Sequence, residues 1–377
     1  MPYYYHLKHR IREAAERARV IGHLEALIKQ LDRDVPAKDA DRNLLLASWN
    51  LRDFGKPGNR RGFGKRAPES HFYIAEVLSR FDLIAVQEVN ELDEWEQVMA
   101  ILGPDWDYIA TDVTDTRLGG NGERLTFCFD KRKLWFKNIA GEIVLPTSML
   151  ISRALVDTEE GKKLYAGKQF RRTPFVTSFQ AGWFRFDICT VHLYYGAESG
   201  PLLQERVQEI GTIARYLSER ADREMKHDRA LILLGDFNVV SPEHETMAAL
   251  LANGFQVPKT LADPTNFSGN KYYDQIAFKT QPAVLEYIDR VADDGSRRNS
   301  GVLDVFENLY TKAQWREYVD QMRKSPNGAD KSENELETYY RSWLTYQLSD
   351  HKPLWVRIST NSSADYLKRL REGAAAS

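Results

Sequence analysis

Apolar positions recur at two different spacings along this chain, and the switches between them mark its elements. Leu7, Ile11, Ala14, Ala18, Ile21, Leu24, Ile28 and Leu31 follow one another at intervals of three and four, the period of a single helix face. The seam is not a strict heptad, because continuing it past Ile21 brings in Glu25, while Leu24 stands one position early. Two readings stay open: a helix docked on its own domain, or a short coiled coil through which the chain associates with itself or a protein partner. "DVPAKDADR" breaks the helix with Pro36 and a cluster of acids, so residues 1–40 are expected to form an N-terminal helical extension.

From residue 41 to 360 the spacing shortens. The runs "NLLLASWN", "DLIAVQEV", "RLTFCFD", "FRFDICTVHL", "ALILLGDFN", "YYDQIAF" and "KPLWVRIST" are rich in apolar, β-branched and aromatic residues and predict strands. Amphipathic stretches over 69–80, 91–102 and 201–226 predict helices, the second closed by Gly103 and Pro104. Strands interleaved with helices give an α/β or α+β domain whose sheet core is covered by helices. Residues 281–346 separate two of these strands by far more than an ordinary loop. Trp315, Tyr318 and Met322, then Leu336, Tyr339 and Trp343, keep helical spacing on either side of the turn-rich "SPNGADKSEN". That spacing predicts a helical hairpin insertion whose aromatics face the core rather than a substrate. Residues 361–377 read as a short C-terminal tail.

Composition adds limits. With 377 residues, 42% of them apolar, and eight tryptophans, the chain can bury a large core. No apolar run reaches the roughly 20 residues that span a bilayer, and "MPYYYHLKHRIREAAERAR" lacks the apolar centre of a signal peptide, so a soluble, cytoplasmic protein is expected. Cys128 and Cys189 lie in apolar, strand-like runs and read as buried thiols rather than a disulfide or a metal pair. A formal charge of −2 argues against a generally basic nucleic-acid binder, so any polyanion site must be local.

The candidate chemistry sits at strand ends. Asn50, Glu88, His192, Asp236 and Asn238 close apolar runs, Asp274 lies in "YYDQIAF", and Asp350 with His351 precedes "KPLWVRI". Taken singly, each fits a turn, a cap or a satisfied structural residue. Together they bring carboxylates, amides and imidazoles to the rim of one sheet region, where ligand sites of such folds lie. Hard oxygen donors suit Mg²⁺, Mn²⁺ or Ca²⁺, whereas zinc would want more His or Cys at tight spacing. No serine elbow, Walker loop or dinucleotide fingerprint is present, which removes support for acyl transfer, P-loop NTP hydrolysis and hydride transfer.

The ordered set "WNLRDFG", "LIAVQEV", "GERLTFCFD", "RRTPFV", "TVHL", "LLGDFN", "YYDQIAF" and "SDHKPL", spanning about residues 44 to 358, resembles the motif series of the endonuclease/exonuclease/phosphatase superfamily. "YDQI" with "NLRDFG" and "GER" resembles its deoxyribonuclease-I-like branch, which also includes toxin nucleases and sphingomyelinase-like enzymes. The resemblance implies a four-layer sandwich, two central mixed β-sheets flanked by helices, with the site at one edge of the sheet pair. It implies Glu88 as the primary metal ligand, with Asn50 and Asp350 close by, for Mg²⁺ or Mn²⁺. Asp236 and Asn238 would bind the scissile phosphate or a second metal and orient the water. His351 held by Asp274 and His192 held by Glu123 would form the acid/base pair, with either order of roles open. Arg172 and Arg52 sit where that branch places phosphate-contacting arginines.

The expected activity is therefore phosphodiester hydrolysis with a nucleic acid, DNA first, as substrate. A phosphatase or phosphodiesterase for a lipid head group, inositol phosphate or small nucleotide is the alternative, and a binding module with a dead site is a third reading. The substrate clue is "RDFGKPGNRRGFGKR", in which Arg52, Lys56, Arg60, Arg61, Lys65 and Arg66 face only Asp53. A cationic loop starting beside Asn50 would favour extended polyanions through counterion release, with Arg60, Arg61, Lys65 and Arg66 as substrate contacts.

Overall fold

The computed structural model describes residues 2–56, 62–113, 122–157, 163–224, 229–280 and 299–375. The chain opens with α1 (Leu7–Arg10) and α2 (Ala14–Asp34), then runs through β1 (Asn43–Phe54), α3 (Pro68–Ser79), β2 (Leu83–Val89), α4 (Leu92–Leu102), β3 (Trp106–Ala110) and β4 (Arg124–Asp130). The second half begins with β5 (Trp135–Glu142), the hairpin β6 (Ile151–Asp157) and β7 (Lys163–Lys168), β8 (Phe175–Ala181) and β9 (Phe184–His192). There follow α5 (Gly200–Glu224), β10 (Arg229–Asp236), α6 (Glu245–Leu251) and β11 (Asp274–Lys279). The chain ends with β12 (Ser300–Val302), α7 (Val319–Arg323), α8 (Glu333–Gln347), β13 (Leu354–Ser359) and α9 (Ser363–Ala375).

Two mixed sheets pack face to face. One has the order β12-β13-β1-β2-β4-β3 and the other β11-β10-β9-β8-β5. Each holds one parallel pair, β1 with β2 and β9 with β10, among antiparallel neighbours. Alternation along the strands divides their side chains between two cores. Leu44 and Leu46 of β1 meet Ile188 of β9 and Ile232 and Leu234 of β10 between the sheets. Leu45, Ala47 and Trp49 point the other way, under α2, α3, α4 and α8. Leu231 and Leu233 lie under α5 and α6. The result is helix, sheet, sheet, helix, the expected four-layer sandwich. Among the described residues no helix is long and apolar enough to cross a membrane. Cys128 and Cys189 are buried and unlinked.

All seven strand-like runs form strands, and the three helices appear within a few residues of their expected bounds. The pattern does not predict β3, β5, β6, β7, β8 and β12; β3, β5 and β12 are sheet edges, and β5 is largely solvent-facing, so it shows no apolar alternation. Residues 361–377 are not a plain tail, because 363–375 are helical.

The N-terminal helix docks on the domain that follows it, one of the two readings its seam left open. Glu13 caps α2 by accepting from the Ala15 N–H at 3.0 Å, and Val20, Leu24, Leu27 and Leu31 bury themselves in the same core as α3. The buried stripe is rotated from the one expected: Val20 and Leu27 face inward, whereas Ile21 is 41% exposed. Leu27→Ala should cost at least about 2 kcal/mol, since the core around it relaxes only in part. Urea unfolding at unchanged particle mass checks this, and a loss of mass without a loss of stability would favour pairing between chains. In the insertion, Trp315, Tyr318, Met322, Leu336, Tyr339 and Trp343 are all buried, as their spacing predicts. Residues 281–298 of it lie outside the described residues.

Candidate active site

Strand parity delivers most of the site. Asn50 shares the inner face of β1 with Leu44 and Leu46, and Asp236 shares that of β10 with Ile232 and Leu234. His192 on β9, Asp236 on β10 and Asp274 on β11 stand in register across three neighbouring strands. Gly235 lets this row close up, because at φ +129° a Cβ there would lie 2.2 Å from the Val191 carbonyl oxygen.

Glu88 needs more than parity. Regular alternation would send it to the outer core with Ile84 and Val86, but its backbone takes a left-handed conformation at φ +63° where the pairing of β2 with β4 shifts register. Arg52, Asp53 and Asn238 are also left-handed, at +43°, +52° and +54°, so four of the six described non-glycine residues with positive φ belong to this region. Such concentration of backbone strain is common at functional sites.

The side chains form two linked clusters. Asn50 Nδ2 donates to Glu88 Oε1 at 2.9 Å and to Asp236 Oδ2 at 3.1 Å, while its Oδ1 accepts from the Arg52 N–H at 2.9 Å. Asn50 thus turns its donors toward the carboxylates and joins the two clusters. In the first cluster, carboxylate oxygens of Asp53, Glu88 and Glu123 lie within 4.8 Å of one another. Glu88 Oε2 also accepts from the Asp53 N–H at 2.7 Å. Glu123 Oε2 is 2.9 Å from His192 Nδ1 and 3.2 Å from Arg172 Nε. In the second, His351 Nδ1 is 2.7 Å from Asp274 Oδ2. The outward nitrogens of both imidazoles approach one atom: Asp236 Oδ2 is 3.6 Å from His192 Nε2 and 3.7 Å from His351 Nε2.

These contacts set the charge states. Burial opposes the His351 imidazolium, yet Asp274 and Asp236 outweigh it and hold its pKa well above 6.5. Burial and Arg172 likewise work against charged His192, and Glu123 and Glu88 raise it nonetheless. For Glu88, burial disfavours the anion, but His192 keeps the carboxyl below its ordinary range. Asp236 is pushed up, mainly by burial, with Asp274 adding to it.

Other expected residues are distributed around this centre. Asn238 anchors its amide on the Leu193 carbonyl at 2.9 Å, and Arg172 Nη1 also reaches that carbonyl at 3.3 Å. Asp350 is half exposed and pairs with Arg52, its Oδ2 lying 3.6 Å from Arg52 Nε. Arg60 and Arg61 lie outside the described residues. Lys65 is exposed.

Arg66 corrects the expectation that it reads substrate. It is buried, and its guanidinium donates to the carbonyls of Gln347, Leu348, Leu51 and Arg52, all between 2.7 and 2.9 Å. Its donors are spent on joining β1 to the end of α8. Arg66→Met should therefore lower the melting temperature, since buried carbonyls stripped of their donor cost about 1–3 kcal/mol each at most. Lys65→Met, compared in the same thermal denaturation, should leave it unchanged.

Three residues of the site escape the sequence reading. Asp53 belongs to the acid cluster, and its signal was its place three residues after Asn50. Gln87 lies one layer deeper, donating to Thr190 Oγ1 at 3.0 Å and Ser48 Oγ at 3.2 Å. Arg206, fully buried, donates to the Asn238 carbonyl at 2.7 Å and so fixes the turn that carries it. No sequence pattern marks the last two.

The donor set tests the implied cation. Asp53, Glu88 and Glu123 supply only hard oxygens, which fit Mg²⁺ or Mn²⁺ and give zinc no soft ligand.

No family profile matches the chain. A deoxyribonuclease from Thioalkalivibrio sp. (strain K90mix) is 28% identical over 216 residues, which is 56% of this chain and 50% of that protein. The chain thus spans half the length of this relative. The catalytic domain of human Nocturnin superposes with a TM-score of 0.50 at 14% identity, covering 88% of this chain and 98% of the domain. An endonuclease/exonuclease/phosphatase family protein from Bacteroides thetaiotaomicron gives a TM-score of 0.49 at 19% identity, over 85% and 98% of the two chains. The two-sheet sandwich of the endonuclease/exonuclease/phosphatase fold, which the motif series implies, is the architecture of this chain.

Proposed function

We propose that this protein hydrolyses phosphodiesters in a nucleic acid, DNA first, at a site that holds Mg²⁺ or Mn²⁺. The observation that carries the reading is the approach of two carboxylate-backed imidazoles to a single oxygen of Asp236. In-line displacement at phosphorus needs one proton removed from water and one returned to the leaving oxygen. His192 and His351 supply two proton carriers, each with its far nitrogen against a carboxylate, Glu123 or Asp274, that fixes the ring. Asp236 and Asn238 orient the water and the phosphate between them. Arg172 and Arg52 offer guanidinium donors to its oxygens. Glu88, with Asp53 and Glu123, would hold the cation, and Asp350 stands at the rim. When bound, the cation supplies positive charge to the non-bridging oxygens.

A nucleic acid is favoured over a small phosphoester by the cationic stretch after β1 and by the deoxyribonuclease relative. With Arg66 engaged by the protein, Arg60, Arg61 and Lys65 remain as substrate contacts in that stretch. Neutralising these three should weaken polymer binding across sequences and flatten its salt dependence. The deciding experiment offers purified protein plasmid, single-stranded DNA, RNA and a panel of phosphomonoesters, with Mg²⁺, Mn²⁺ or EDTA. Metal-dependent cleavage of a polymer is expected. Turnover of a lipid head group or inositol phosphate with every polymer intact would overturn the nuclease assignment.

A further inference from the structure

Beside the catalytic centre, and outside it, a cavity of about 470 Å³ opens between α1, the start of α3, α4 and the end of α8. Four cations line it, Arg10, Lys56, Lys65 and Arg66, against one carboxylate, Glu94. That carboxylate is itself engaged, 3.0 Å from His71 Nε2. Lys56 is paired with Asp53, and among the described residues the positive charge of the other three is not cancelled elsewhere. Arg66 spends its hydrogen bonds on neutral carbonyls, and among the described residues no ion pair includes Arg10 or Lys65. Arg10 makes one long bond, to Gln97 Oε1 at 3.4 Å, and its guanidinium carbon lies 5.9 Å from the centre of the Phe72 ring. Lys56 ties the cavity to the reaction site, because its Nζ is 2.6 Å from Asp53 Oδ1, and Asp53 belongs to the Glu88 cluster.

The aromatic wall says what the cavity does not bind. Tyr346 already stacks on Phe63, with centroids 5.1 Å apart, and carries the Arg66 guanidinium 5.1 Å from its ring centre. Phe63 and Arg66 both lie against that ring, so it offers no free stacking platform of its own for a nucleobase. What remains is a cationic pocket of limited size, one ion pair from the acid cluster, with the N-terminal end of α3 adding to the positive potential.

We propose that this cavity takes a phosphate group of the substrate strand, displaced from the scissile bond, and that it does so without regard to base sequence. The N-terminal segment thereby contributes to substrate binding through Arg10. The proposal rests on the nucleic-acid reading of the neighbouring site.

The test measures binding in EDTA, independently of catalysis, by anisotropy of a fluorescein-labelled single-stranded 12-mer with and without a terminal 5′-phosphate. Arg10→Gln should weaken binding about fivefold to tenfold and reduce the salt slope by about 0.7, the value for one single-strand phosphate contact. Arg10→Lys should restore most of both. An equal loss for the two strands assigns an internal phosphate, and a loss confined to the phosphorylated strand assigns the terminal one. Lys65→Gln, an exposed side chain, gives the same readout if Arg10→Gln fails to fold. Folded variants that bind both strands like the wild type would overturn the pocket. Wild-type cleavage of the same strand in Mg²⁺ separates the two readings. Cleavage with unchanged variant binding defeats the pocket alone, whereas neither binding nor cleavage by the wild type defeats the nuclease reading and the pocket with it.

Discussion

Glu88→Gln leaves a folded protein whose turnover is about a hundredfold to a thousandfold lower at saturating Mg²⁺, the usual cost of losing one electrostatic element. The reason lies in how its charge is held. Burial disfavours the anion, and His192, the Asn50 amide and the Asp53 N–H together hold the carboxyl below its ordinary range. Glutamine keeps the shape and removes the charge. Its amide nitrogen must also face the Asn50 Nδ2 or the Asp53 N–H, both of which are donors. The stability cost is partly offset, because Asp53, Glu88 and Glu123 crowd their oxygens within 4.8 Å and removing one charge relieves repulsion. Two measurements check the argument: turnover against Mg²⁺ concentration, and the melting-temperature rise that Mn²⁺ produces in the wild type, which should disappear. Normal turnover in the variant would move the cation away from this cluster.

Asp274→Asn should lower turnover by about 10²–10⁴-fold, the range for disabling a general acid or base. Asp274 is fully buried, and among the described residues its Oδ2 accepts the only carboxylate contact made by His351 Nδ1. Without that negative charge the imidazolium is opposed by burial with Asp236 and Asp350 alone in its favour, so its titration moves to lower pH. Stability follows with a definite sign. His351 has a folded pKa above its ordinary 6.5, so its contribution is complete below 6.5 and is lost as pH rises through the raised value. The deficit of Asp274→Asn, measured by urea unfolding in EDTA, should therefore be largest below pH 6.5 and shrink toward alkaline pH. A deficit independent of pH would mean that Asp274 acts by packing alone, and an unshifted His351 signal in a proton NMR titration would say the same.

How much of this was legible in the sequence differs from residue to residue. Strand parity is a local property with a period of two, so the inner-face residues Phe186 and Ile188 already assign His192 its side of β9, and Ile276 and Phe278 assign Asp274 its side of β11. The same logic fails for Glu88, because one left-handed residue reverses the face, and nothing in "LIAVQEV" announces it. Arg66 and Lys65 are adjacent cations in one glycine-rich stretch, yet one is buried against four carbonyls and the other is in solvent. Composition is blind to that difference, since the carbonyls that claim Arg66 belong partly to residues 347 and 348.

The sequence by itself determined the elements, the face on which most polar strand ends lie, and the hard-oxygen character of the donors. Tertiary structure alone decided which of those groups meet. Asn50 bonds Asp236 across 186 positions, and only the packing of two sheets, each set by its own long-range pairings, brings that contact about. It also chose Val20 and Leu27 over Ile21 for the buried stripe of α2 and drew Asp53 into the acid cluster. The physical reason is that side-chain periodicity follows from backbone geometry over a few residues. Proximity between distant residues follows from burying the largest apolar area at once, which is a property of the whole chain.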